Sequence, residues 1–211
     1  MDAIFSQLVA LTLTLAVEAP RQDLPEVAAW NQLVEAPEAH LDRPVRLFLQ
    51  LHSVEEDWEC YQTRFAPERW IALRAWTDEQ HLWDAAEFGR PEALVFVRRG
   101  GRLARLVGRL APHDRLAIAG VVRTAHLGRP WLEVRGFQRA RRTVPEGTVL
   151  HASKALELME RKAWELAAEQ LERALAAPLP APSAEELRTF VARCEAELEA
   201  LRVRGASFRR R

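Results

Sequence analysis

The chain has 211 residues, 48% of them hydrophobic and 28% charged, which places it among globular proteins and excludes a disordered or membrane-filled composition. That length suits one large domain or two small ones around a real apolar core. Thirty basic and thirty acidic side chains cancel, which excludes a protein that grips polyanions with its whole surface.

The first element is an apolar run, Ala3 to Val17. It has the length of a signal-peptide core and is too short for a membrane span. Residues 1–19 are therefore expected to be a leader, with export or a periplasmic location as the expectation. Asp2 has the wrong sign for the segment before such a core, and no Lys or Arg precedes it, so the alternatives are a buried or partner-binding helix and a cytoplasmic protein. No spanning segment follows the leader. Residues 20–39 read as a linker in which Pro20, Pro25 and Pro37 bracket one short helix carrying Trp30, Leu33 and Val34.

Strand patterns come next. Val45, Leu47, Leu49 and Leu51 alternate with Arg46, Phe48, Gln50 and His52, the period of a half-buried strand. "RWIALRAW", Arg69 to Trp76, reads as a second strand with Trp70, Ala72, Arg74 and Trp76 on one face, and "EALVFVRR", Glu92 to Arg99, as a third. "DEQHLWDAAEFG" between them predicts a short helix closed by Gly89. "GGRLARLVGRL" spaces Leu103, Leu106, Val107 and Leu110 as a short amphipathic helix does.

"DRLAIAGVVRTAHLGRPWLEVRGFQR", Asp114 to Arg139, predicts two strands joined by a turn on Gly128 and Pro130. Gly120 inside the first of them marks a bulge or sharp bend. Charge divides sharply around this region. Residues 55–92 hold ten acids against four arginines, a balance of −6, whereas residues 98–142 hold twelve arginines against two acids, a balance of +10.

Strands, a helix and a closing hairpin resemble the OB-fold superfamily; the resemblance covers His40 to Arg142, within a domain expected over residues 40–144. It implies a small β-barrel whose second and third strands form a face for single-stranded nucleic acid, oligosaccharide or protein.

From residue 147 to 203 the chain is almost wholly helix-forming. Ala155, Leu158, Trp164, Ala167, Leu171 and Ala174, with Pro178 beyond them, resemble one tetratricopeptide repeat. "APLPAPS" then leads to Ser183 as a predicted N-cap of a third helix. A lone repeat cannot bury its own face, so this bundle must pack on the barrel, on the leader-proximal helix or on a partner. Residues 204–211 form a basic tail. The expected fold class is α+β, a small OB-like barrel followed by a helical hairpin or bundle.

Chemistry is sparse. Six scattered histidines show no HxxxH or HExxH spacing, and no GxSxG elbow surrounds Ser53 or Ser153. Cys60 and Cys194 form no CxxC motif, and Cys194 has the helical spacing of a buried thiol. "VEEDWE", Val54 to Glu59, reads as a solvated acidic loop, and "RRGGR", Arg98 to Arg102, lacks the lysine of a phosphate-binding loop. No catalytic residue, metal ligand or cofactor is expected. The reading is a noncatalytic binding or assembly protein that docks a protein partner. The alternative is a single-strand nucleic-acid binder in which Trp70 and Trp76 stack bases while Arg74, Arg98, Arg123 and Arg135 meet phosphates. Arg123, Trp131 and Arg135 form a candidate contact patch, for which the acidic segment is an equal candidate partner.

Overall fold

A computed structural model describes residues 27–58, 65–126 and 129–208, with the side chains of His126 and residues 205–208 left aside. The expected leader, residues 1–19, and Cys60 lie outside the described residues.

Five strands carry the first module: β1 (Pro44–Glu55), β2 (Trp70–Thr77), β3 (Ala93–Arg98), β4 (Arg115–His126) and β5 (Arg129–Arg139). They close into a barrel in the order β1-β2-β3-β5-β4, with β4 returning to β1. Every pairing is antiparallel except β3 with β5, which is parallel through Val95 to Leu132 and Phe96 to Glu133. This is the Greek-key arrangement of an OB-like barrel, as the order of elements predicts.

The alternation decides what fills it. Val45, Leu47, Leu49 and Leu51 of β1 meet Leu73, Val95, Ile118 and Leu132 inside, each 4% exposed or less. Helix α1 (Trp30–Glu35) plugs one side with Trp30 and Leu33. Gly120 sits at a register shift between β4 and β5, where an added Cβ would stand 2.5 Å from Leu132 Cδ2 and 2.7 Å from the Glu133 carbonyl oxygen. The bulge expected at this glycine is there because the two strands approach too closely for a side chain.

Several local expectations are corrected. Val54 and Glu55 belong to the end of β1 rather than to a loop. The helix expected between the second and third strands shrinks to α2 (Ala85–Phe88), capped by Asp84, whose carboxylate accepts from Ala86 N at 2.7 Å. Gln80 explains the loss: its side chain accepts from Thr77 N and Glu92 N and donates to the Glu87 and Arg90 carbonyls, fixing a turn where a helix would start. Helix α3 (Arg102–Val107) is likewise cut short, ending at Gly108. Pro130 lies in β5 opposite Ala125 rather than in the turn; this end of the strand lies beyond the β3 ladder, where a missing N–H is tolerated.

The second module is the helical hairpin α4 (Glu146–Glu160) and α5 (Trp164–Leu175), followed by the long α6 (Ala181–Phe208). Fully buried Ala152, Ala155, Ala167 and Ala174 let the helices approach, with Leu171, Leu187 and Cys194 closing the core. Burial raises the Cys194 thiol above its ordinary pKa. Ser183 is not the N-cap of α6. The helix already runs from Ala181, so Pro182 occupies its first turn, where an N–H has no intrahelical partner to lose.

The modules are joined. Trp83, from the β2–α2 connection, enters the helical core, and Ser153 Oγ donates to its carbonyl at 2.8 Å. Gln50 of β1, 3% exposed, exchanges two hydrogen bonds with the backbone of Val144 just before α4. No described helix is long and apolar enough to cross a membrane.

Candidate binding face

Outward positions of β2, β3 and β5 present Trp70, Ala72, Arg74, Leu94, Phe96, Trp131 and Glu133. The chain covers much of this face itself. Phe65 stacks on Phe96 with centroids 4.4 Å apart and planes at 8°, and Trp58 lies 5.6 Å from the same ring while its Nε1 donates to the Phe65 carbonyl at 3.0 Å. Arg99 fastens the backbone near both of these rings: Nε donates to the Pro67 carbonyl at 2.6 Å and Nη2 to the Glu56 carbonyl at 2.7 Å. One arginine of "RRGGR" is thus spent on carbonyl oxygens rather than on phosphate.

The tryptophans singled out from sequence are occupied. Trp70 meets Phe65 edge-on at 4.7 Å. Trp76 is 2% exposed, stacked on Phe88 at 5.0 Å with Nε1 donating to the Phe88 carbonyl, so no ring face is open to a base. Trp131 is 6% exposed and tilted against Phe96, and its Nε1 has no hydrogen-bond partner.

Most of the arginines are paired as well. Arg74 takes both oxygens of Glu55, at 2.5 and 3.2 Å, and the contact holds its proton more firmly than usual. Arg123 bridges Glu133 and Asp42, each at 2.7 Å, and Arg135 reaches the same Glu133 at 2.9 Å. Arg123 and Arg135 therefore share a carboxylate of β5, while Trp131 lies on the aromatic side. Arg98 is exposed at the end of β3. The acidic and basic halves of the barrel do fold against each other, through Asp78 with Arg115 and Glu56 with Arg99.

A cleft of about 600 Å³ remains beside the covered face. Its apolar wall includes Leu94, Pro130 and Trp131, and its charged wall includes Arg74, Arg90, Glu92 and Arg129. The guanidinium groups of Arg90 and Arg129 meet no carboxylate among the described residues. His52 also lines the cleft. Burial first, then the charge of Arg74, lowers its pKa below 6.5, and Nδ1 lies 2.9 Å from Ser53 Oγ. Sequence reasoning passed over Arg90 and Arg129 because they stand far apart in the chain and at the margins of strands. Among the described residues no group of three or more His, Cys, Asp or Glu is placed to hold a metal ion.

The fold and the face define an OB-like barrel with a helical extension. No family model matches the chain. No curated protein matches it either. Among solved structures it is similar to one described as an aspartyl-tRNA synthetase from Leishmania major Friedlin, at 8% identity and a TM-score of 0.40. That match covers 75% of this chain and 33% of the other, so the present chain spans about a third of that protein's length.

Proposed function

We propose that this chain is a noncatalytic binding and assembly protein whose barrel cleft docks an acidic segment of a protein partner. The observation that carries the reading is the cleft itself, where Arg90 and Arg129 meet no carboxylate among the described residues and stand beside the apolar wall of Leu94 and Trp131. An extended peptide bearing one or two carboxylates matches that combination of charge and grease. Among the described residues lining the cleft there is no serine, threonine or cysteine to act as a nucleophile. His52 Nδ1 lies 2.9 Å from Ser53 Oγ, and among the described residues no salt bridge joins His52 to a carboxylate.

The helical module supplies the assembly half of this reading. Its α4–α5 hairpin resembles a single tetratricopeptide repeat with α6 as the closing helix. It buries its face against Trp83 of the barrel module rather than against further repeats.

Nucleic-acid binding is the weaker reading. Single-strand binders offer rings for bases to stack on, whereas the exposed large apolar side chains described in this chain are all aliphatic.

A photo-crosslinking residue at Leu94 in the native cell tests the proposal. A protein adduct that disappears with Arg90→Glu and Arg129→Glu is expected. An adduct to nucleic acid, or protein adducts indifferent to both arginines, overturns it. Titration of fluorescent single-stranded DNA at low salt is expected to show no saturable binding; a steeply salt-dependent isotherm would transfer the cleft to phosphates.

A further inference from the structure

His52 stands where the barrel cleft meets an aromatic wall. Its ring meets Trp76 edge-on with centroids 4.9 Å apart, and it lines the same cavity of about 600 Å³ as Arg74, Arg90 and Arg129. The side chain is half-buried, and none of the salt bridges among the described residues reaches it. An imidazole so placed, with guanidinium groups around it and no carboxylate of its own, favours the neutral form.

The charges around the ring come from several elements. Arg74 of β2 disfavours the imidazolium, while Glu55, on the same strand as His52, favours it. That carboxylate is already tied to Arg74 by two hydrogen bonds. His113, in the connection before β4, adds the smallest push towards the neutral ring. Across the cleft stand Arg90 and Glu92 ahead of β3 and Arg129 at the start of β5, whereas α1 contributes the uncharged Trp30 and Val34. Burial and Arg74 dominate, so the ring holds its proton less firmly than a free histidine.

We propose that docking at this cleft is coupled to proton uptake by His52, the acidic segment binding tightly when the ring is an imidazolium and weakly when it is neutral. The inference rests on the reading that the cleft takes an acidic segment. An arriving carboxylate brings negative charge to a wall that holds three guanidinium groups, and it offsets the effect of Arg74 on the ring. The complex therefore keeps the His52 proton more firmly than the free protein does. By linkage, affinity rises as pH falls through the range in which the ring titrates, and it levels off below that range. The cleft is thereby set to hold its segment in mildly acidic surroundings and to release it as pH rises.

Calorimetric titration of the full chain with a short peptide alternating aspartate with leucine, capped at both ends, tests this. Aspartate stays ionised throughout the range used. Titrations near pH 6.5 in buffers of different ionisation enthalpy read the protons taken up on binding. Net uptake of a fraction of one proton is expected for the wild-type chain. Its affinity should be about tenfold higher at pH 5.5 than at pH 8, the change produced by one group whose proton is held about ten times more firmly in the complex. In His52→Gln the uptake should vanish and the ratio of the two affinities should fall to about one. Binding by the wild-type chain without proton uptake overturns the coupling and leaves the cleft reading intact, a result that needs no variant to fold. Uptake that persists in His52→Gln overturns it by assigning the proton to another group. No binding at either pH overturns the cleft reading and the coupling with it.

Discussion

Gln50 and Val144 are bonded to each other twice. The side-chain amide donates to the Val144 carbonyl at 2.8 Å, and its oxygen accepts from the Val144 N–H, also at 2.8 Å. A strand residue of the barrel thereby behaves as a short piece of ladder for the segment entering the helices. Thr143 Oγ1 adds a third bond to the same oxygen at 3.0 Å. Gln50→Leu keeps the volume and leaves two buried backbone groups without partners, so a loss of about 2–4 kcal/mol is expected in chemical denaturation. A second transition, with the helical module separating first, should accompany it.

The close approach at Gly120 gives a sharper contrast. Gly120→Ala drives a methyl group into Leu132 and into the Glu133 carbonyl, which is backbone and cannot swing aside. A cost of about 2–3 kcal/mol is expected, in the range of overpacked cores. Gly136, which faces Gly120's neighbour Ala119 across the hairpin, has open space where its Cβ would stand. Gly136→Ala should therefore leave the denaturation midpoint close to wild type.

Arg115 and Asp78 join the basic and acidic segments in a two-point contact, with the Arg115 side chain only 9% exposed and its guanidinium 4.2 Å over the ring of Phe48. Asp78→Ala strands a buried cation. A loss of about 3 kcal/mol is expected in thermal or urea melts. Glu157→Gln, which weakens a solvent-exposed pair with Lys154, should not move the midpoint measurably.

His52 sets a pH dependence of stated sign. Its folded pKa lies below the 6.5 of the unfolded chain, chiefly through burial. Below 6.5 the unfolded state binds more protons, so stability falls with pH until the folded pKa is passed and then levels off. His52→Gln should flatten that part of the stability profile, while a profile of unchanged slope would assign the dependence to other groups.

Arg99 holds the aromatic cover by the backbone near both of its rings. Arg99→Ala removes both carbonyl contacts and should free Trp58 from Phe96. The expected readout is a red-shifted, more quenchable tryptophan emission with little change in far-ultraviolet circular dichroism.

Much of this architecture is legible in sequence because it is written in local periods. The alternation of Val45, Leu47, Leu49 and Leu51 placed those side chains inside the barrel, and Gly120 announced its bulge. The spacing of Ala167, Leu171 and Ala174 marked the helical seam. Trp76 shows where local reading stops. It shares the outward face of β2 with Trp70 and Arg74, as alternation requires, yet α2 and Val144 fold over it from distant parts of the chain. No pattern within the strand carries that information. The cleft is harder still, since Arg90 and Arg129 become neighbours only after β3 and β5 pair in parallel. Gln80 shortened the predicted helix before β3 through hydrogen bonds that propensity alone does not contain.

The ladder from Pro44–Val121 to Gln50–Arg115 has a consequence for how the protein is made. Until β4 has been synthesised and docked, β1 offers a row of unpaired backbone groups backed by four leucine and valine side chains, which is a template for pairing with any neighbouring chain. Closure abolishes both free margins of the sheet at once. Fragments ending before residue 115 should therefore aggregate.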